Sequence, residues 1–362
     1  MSHAALRPAR ATPPGRILAQ ELDERGWSQS DLADVLGRPP SAVSGIVSGA
    51  SRITPETARS LAAALGTSAE LWMNLETAYR LSEDPQAAED EVRRRSALYD
   101  RFPIREMIRR GWIAARTGAA DLESEVLRFF QVQTLDEISL PALCARRSTK
   151  AADNPDWLLA WRRRVEMLCA GQTLGPYDVD ALSAAIPGIL ALSVQPESVG
   201  GIGERLGELG IHFVLLRHLP RTRLDGASFL HPDQHPVIAL TARFGRLDHF
   251  WFTLAHELAH VALGHVNANT AFYDAMGDFD EGEAEKQADK QASEWLAPER
   301  SYRQFSVSAA LSSPAAIRSF ADSIERHPGI VVGRLQHDQI LPYTAFRSML
   351  PDIRTYMGPL MQ

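Results

Sequence analysis

Along the first eighty residues the apolar positions fall into short sets at helical spacing, and each set is closed by punctuation. Ile17, Leu18 and Leu22 share a face after the Pro13-Pro14-Gly15 opening and before Gly26. Ser28 begins the next set as an N-cap with Asp31 in the capping-box position; Leu32, Val35 and Leu36 follow, and Gly37 stops the helix. Pro40 or Ser41 opens a third set, Val43, Ile46 and Val47, which Gly49 ends. Thr54-Pro55-Glu56 reads as an N-cap with proline at the first helical position, leading into Ala58, Leu61, Ala62 and Leu65 up to Gly66. Ser68 caps a fifth set with Leu71, Trp72 and Leu75. The pattern predicts five short helices over 13–80 behind a loose, disordered tail at 1–12.

The acidic stretch 82–92 reads as a linker or a solvated helix start, and 93–200 reads as helical. Phe102, Ile104, Met107, Ile108 and Trp112 form one apolar set, and Leu122, Val126, Leu127, Phe129 and Phe130 form another. The pattern changes after residue 200. IHFVLL at 211–216, bounded by Gly210 and Pro220, and PVIALTA at 236–242 read as strands, with room for a short third strand in RTRLDGASFL between them. Helical spacing returns at 250–265 and 282–297, and the remainder reads as helical with a loop or strand near His327-Pro328-Gly329. The expected fold class is α+β, mostly α. The expected divisions are a helix-turn-helix bundle at 13–80, a helical linker or middle domain at 81–200, a domain with a small sheet at 201–305 and a C-terminal helical extension at 306–362.

Composition narrows this little. With 362 residues, 45% hydrophobic and 23% charged, the chain fits an ordinary globular protein of two or three domains, not a disordered or fibrous one. There is no apolar run of about 18 residues, so no membrane span is expected. The N-terminus lacks the apolar core of a signal peptide. Two cysteines, Cys144 and Cys169, fit a reducing cytosol, and a cytoplasmic location is expected. The net charge of −7 is uneven: residues 1–80 hold 8 Arg and 8 acids, whereas 241–300 hold 11 acids against 5 Lys/Arg. Such acidity argues against a broad non-specific nucleic-acid binder and leaves a local DNA-reading face open.

Candidate chemistry sits in that acidic segment. His256 and His260 are four apart in Thr253-Leu254-Ala255-His256-Glu257-Leu258-Ala259-His260, so on a helix both imidazoles project from one face. That spacing suits a tetrahedral Zn²⁺, and Glu257 stands beside the first histidine where it can take a proton from water. The flanking positions 253–262 are uncharged, as a buried helix requires. A third donor is needed. Glu285, with Asp289 four residues on, can present a carboxylate from a second helix, Asp289 then accepting the outer N–H of a bound histidine. Glu281, Glu283 and His265 compete for that role. His231, His235 and His249 read as loop or surface polar groups, and the run Asp278, Asp280, Glu281, Glu283 as a solvated helix N-terminus.

The helices expected at 28–36 and 40–48 make a helix-turn-helix by length and punctuation. Gln29 is placed to touch a phosphate, Ser41, Ala42, Ser44, Gly45 and Ser48 are expected to face outward, and Arg38 and Arg52 flank the second helix within reach of phosphates. No Arg, Lys, Asn or Gln lies on 40–48, so serine, backbone and shape readout are implied. The other reading of the bundle is one that only dimerises or docks a partner.

Residues 13–80, through PPGRILAQELDERGWSQSDLADVLG and SGIVSGASRITPETARSLAAALGTSAELWMNLE, resemble the Xre-type helix-turn-helix of HigA/VapI antitoxins. Residues about 210–300, through TRLDGASF, PVIALTARF, FWFTLAHELAHVALGH and EAEKQADKQASEWLAP, resemble the ImmA/IrrE metallopeptidases. The resemblance implies a gluzincin-like fold in which His256, His260 and Glu285 bind zinc and Glu257 is the general base. It also implies a homodimer on operator DNA, a RelE-like ribonuclease toxin as partner, or a repressor protein as peptidase substrate. The expected function is a DNA-binding, antitoxin-like transcriptional regulator with a zinc metallopeptidase domain. The alternatives are a site-specific metalloendopeptidase cleaving a repressor or partner, for which the 236–242 strand is expected to pair with substrate, and a catalytically silent, zinc-stabilised binding protein.

Overall fold

Punctuation in the sequence becomes helix boundaries in the computed structural model, which describes residues 11–83, 86–139, 155–220, 222–268, 270–274, 282–308 and 313–357. The chain divides into two units, up to Arg93 and from Arg94 onward. In the first lie α1 (Pro14–Arg25), α2 (Gln29–Leu36), α3 (Pro40–Val47), α4 (Pro55–Leu65) and α5 (Ala69–Glu83). Ser28 and Asp31 close a reciprocal capping box: the Asp31 N–H donates to Ser28 Oγ at 3.1 Å and the Ser28 N–H donates to Asp31 Oδ2 at 2.7 Å. Gly26, Gly37 and Gly66 end α1, α2 and α4 in the left-handed region. The core of this unit is Leu18, Leu22, Leu32, Val43, Ile46, Leu61 and Trp72, all buried. α1 and α3 cross so closely that a Cβ added at Gly15 would lie 2.3 Å from the Ile46 carbonyl oxygen.

The second unit is layered. After α6 (Gln86–Arg101) come α7 (Ile104–Arg109), α8 (Ala119–Phe130), α9 (Pro155–Cys169), α10 (Val179–Ala191) and α11 (Ile202–Glu208), followed by a sheet of β1 (His212–Leu215), β2 (Gly226–Leu230), β3 (Pro236–Leu240) and β4 (Phe272–Asp274). Strand order is β1-β3-β2-β4. β1 runs parallel to β3 with His212 opposite Val237, and β2 runs antiparallel to both β3 and β4. Both faces of the sheet are covered, so the strands are apolar without alternation. Val214, Ala227, Phe229, Val237 and Ala239 point into a core with Met107, Val126 and Trp161. Phe213, Leu215, Ile238 and Leu240 point into another with Ile186, Trp251, Leu254 and Leu258.

β3 lies between β1 and β2 with both edges paired, which overturns the expectation that it adds a substrate strand; an interior strand has no free ladder to offer. β4, three residues long, carries no pattern that alternation detects.

The second core rests on α12 (Leu247–Ala262), against which α13 (Glu283–Leu296) packs. Beyond α14 (Glu299–Ser306) and α15 (Pro314–Ser323) come α16 (Pro328–His337), which also packs on α12, and α17 (Arg354–Met357). His327-Pro328-Gly329 is a helix start, not a loop or strand: His327 Nδ1 accepts the Gly329 N–H at 3.0 Å and Pro328 occupies the first turn. Ile330, Ile353 and Met357 complete the core under α12, so the C-terminal segment belongs to the same packing unit. Cys144, Asp278, Asp280, Glu281 and most of the tail expected at 1–12 lie outside the described residues.

Candidate metal centre

From Thr253 to Val261 every residue of α12 is buried, and the run includes His256, Glu257 and His260. Ionisable groups in such a place need partners. α13 supplies them, because its Glu285, Ala288, Ala292 and Leu296 form the face turned inward. His256 Nε2 and His260 Nε2 lie 3.0 Å apart, and Glu285 Oε2 lies 3.1 Å from the first and 3.2 Å from the second.

The outer partners fix which nitrogens carry protons. Asp289 Oδ1, 2.8 Å from His256 Nδ1, accepts the N–H there and leaves Nε2 bare. On the other histidine the logic runs through three residues. Gln287 Nε2 donates to Glu283 Oε1 at 3.1 Å, which turns its Oε1 toward His265 Nε2, also at 3.1 Å. His265 therefore carries its proton on Nε2 and presents a bare Nδ1 to His260 Nδ1 at 3.1 Å. His260 donates across that contact, and its own Nε2 is bare. Two lone pairs and a carboxylate oxygen then converge with no proton between them, an arrangement that repels unless a cation lies among them. Bonds of about 2.0–2.1 Å to a tetrahedral zinc require donor separations of about 3.3 Å, within a few tenths of those found. The donor set fits a divalent ion.

Of the four residues considered for the third donor, Glu285 reaches the two Nε2 atoms. Glu283 turns to Gln287, His265 meets the outer nitrogen of His260, and Glu281 is outside the described residues. Two positions outside the predicted ligand set also shape the centre. Gly226 of β2 passes so close to α12 that a Cβ there would lie 2.4 Å from Glu257 Oε1 and 2.7 Å from Thr253 Cγ2. Gln287 has a legible signal in retrospect, its i,i+4 spacing from Glu283. His249 packs against Phe244, and burial pushes its imidazole down to about 4, so it is uncharged.

In the first unit, Gln29, Ser41, Ser44, Ser48 and Arg52 are exposed and Ala42 is half-buried. Gly45 does not face outward as expected: a Cβ there would meet Ser51 Oγ at 2.5 Å, and its carbonyl accepts the Ser51 N–H at 2.8 Å. Arg38 is not free for phosphates as it stands. It donates to Glu56 Oε1 at 2.8 Å and to Thr57 Oγ1 at 3.1 Å, joining the end of α2 to α4.

Comparison with known proteins finds a match within each unit. Residues 18–72 match the helix-turn-helix family model, and residues 208–308 match that of the IrrE N-terminal-like domain, a Peptidase M78 family. The uncharacterized HTH-type transcriptional regulator YddM of Escherichia coli K12 is 36% identical over 70 residues, which are 19% of this chain and 74% of that protein. The chain belongs to the HTH-type transcriptional regulators. It joins an antitoxin-like helix-turn-helix domain to an M78 peptidase domain. Among solved structures, a HigA-family addiction module antidote protein from Coxiella burnetii is 42% identical, covering 20% of this regulator and 80% of that chain with a TM-score of 0.20. A Pseudomonas aeruginosa protein crystallised with its 18 bp operator DNA is 34% identical, covering 22% and 87% with a TM-score of 0.21. Among the described residues no helix of the regulator is long and apolar enough to cross a membrane.

Proposed function

We propose that this regulator is an antitoxin-like, operator-binding repressor of the cytoplasm whose M78 domain is a zinc-dependent peptidase. His256, His260 and Glu285 hold the ion, Asp289 orients His256, and Glu257 is the general base. The observation that carries the reading is the convergence of two Nε2 atoms from the buried helix α12 and one carboxylate oxygen from α13. Bound zinc would supply Lewis-acid polarisation to a peptide carbonyl and to water. Glu257, one residue from His256 and seated against Gly226, takes a proton from the attacking water and passes it to the departing amine, so the C–N bond breaks with no net proton change. On the DNA side, Ser41, Ser44 and Ser48 meet base edges while Gln29 and Arg52 meet phosphates. A homodimer on two half-sites, with a RelE-like toxin or an Xre-type repressor as protein partner, follows from the antitoxin likeness.

The test is Glu257→Gln. The variant retains zinc at the wild-type level and cleaves a peptide library or co-encoded repressor about 10²–10⁴-fold more slowly. Cleavage at the wild-type rate overturns the mechanism. Zinc binding with no wild-type turnover overturns the peptidase reading in favour of a metal-stabilised binding protein. A mobility shift on the chain's own promoter at modest salt tests the operator reading, and an unretarded probe overturns it.

A further inference from the structure

The turn between β2 and β3, His231-Pro232-Asp233-Gln234-His235, folds tightly on itself. The His231 N–H donates to the His235 carbonyl at 2.9 Å, the His235 N–H donates to Asp233 Oδ1 at 3.0 Å, and Gln234 adopts φ +71°. The fold brings this turn to the first residue of β1, His212, whose ring is buried. His212 Nε2 lies 3.0 Å from Asp233 Oδ2, and His231 Nδ1 lies 2.9 Å from Asp233 Oδ1. The two rings meet edge-on with centroids 4.8 Å apart.

Here too a neighbour fixes the tautomer. Gln172 Nε2 donates to the Phe213 carbonyl at 2.7 Å, so its Oε1 faces β1, where it accepts the Phe213 N–H at 3.3 Å and stands 3.1 Å from His212 Nδ1. An amide oxygen only accepts, so the His212 proton is on Nδ1 and the bare Nε2 of the neutral ring faces a carboxylate oxygen. The His231 Nδ1 is buried and approaches the second oxygen at 2.9 Å outside good hydrogen-bond alignment. An imidazolium at His212 would settle the first contact and leave the second poorly aligned. A cation meets both.

We infer that His212, His231 and Asp233 form a second metal site, independent of the one on α12, for a borderline divalent ion that prefers imidazole and carboxylate donors, zinc in the first instance. Its ligating atoms lie within 4.8 Å of one another. The ion clips the β2–β3 turn to the start of β1, holding β1, β2 and β3 at one end of the four-stranded sheet. Asp233 is 45% exposed, so the site is open to solvent and yields its ion to a chelator before the buried site does.

Metal analysis of the full-length protein, loaded with zinc and desalted, decides the matter. The wild type is expected to hold two zinc ions per chain, Asp233→Asn one, His256→Ala one, and the double variant none. Cobalt substitution of His256→Ala should give visible d–d absorption that Asp233→Asn abolishes. Asp233 lies on an exposed turn, and unchanged far-ultraviolet circular dichroism certifies the fold of its variant; His231→Ala provides a second route to the same loss. A wild-type stoichiometry that Asp233→Asn and His231→Ala leave unaltered overturns the site, as does zinc uptake by His256→Ala that never saturates. Failure of the α12 centre alone gives a different result: wild type and His256→Ala would each hold one ion, still lost in Asp233→Asn.

Discussion

α3 and α12 are helices of one chain built on opposite terms. α3 buries little more than Val43 and Ile46 and shows Ser41 and Ser44 to solvent. α12 buries nine consecutive residues, two histidines and a glutamate among them. An exposed helix can carry any polar residue at little cost, so its own structure says nothing about what it touches. A buried ionisable group costs several kcal/mol unless it is met, so the partners of α12 must be in place and can be read as a mechanism. Both helices nonetheless depend on a glycine at their closest approach, Gly15 beneath α3 and Gly226 beneath α12. At Gly15 the obstacle is backbone; at Gly226 it is a carboxylate and a threonine methyl.

That difference is sharpened most by Gly226→Ala. The new methyl would lie 2.4 Å from Glu257 Oε1, and the carboxylate must move. Displacement of a catalytic group by about 1 Å costs about 10²-fold in rate. Peptidase activity should fall by about that factor while zinc content and DNA retardation stay at wild-type levels; full activity would show that the seat of Glu257 does not matter. A smaller effect is expected from His265→Phe, which keeps a ring but removes the acceptor for His260 Nδ1. Outer partners of this kind are worth about 10–100-fold in metal affinity. Competition against a chromogenic chelator measures it, and an unchanged affinity would break the relay from Glu283 through Gln287 and His265.

What the sequence makes legible follows from the same contrast. Caps, C′ glycines and the His256/His260 pair are set by spacing within one helix, and Ser28, Thr54, Gly37 and Gly66 act where the pattern places them. Spacing favours Glu285 as the third donor but does not by itself exclude Glu281, Glu283 or His265, because the choice depends on which face of α13 meets α12, a matter of packing that no local period encodes. Gly226 is invisible for the same reason: its meaning lies in a neighbour thirty-one positions away. The interior position of β3 and the existence of β4 are likewise facts of pairing. His231 reads as a loop residue until β1 brings His212 beside it.

The smallest effects concern the arginines flanking α3, which sequence treats alike and structure separates. Arg38 is engaged with Glu56 and Thr57, whereas Arg52, in the loop before α4, is exposed and makes no hydrogen bond or ion pair among the described residues. A helix without Arg, Lys, Asn or Gln cannot hold a base bidentately, so cations outside it must secure the phosphate backbone. Each phosphate neutralised contributes about −0.9 to the slope of log K against log salt. Arg52→Ala should flatten that slope by about one and weaken binding to all sequences alike. Arg38→Ala should leave the slope in place and lower the stability of the first unit, by at most about 1 kcal/mol for a largely exposed pair. Equal slopes for the two variants would mean that Arg38 leaves Glu56 when DNA arrives, and the distinction between a structural and a DNA-binding arginine would then fall.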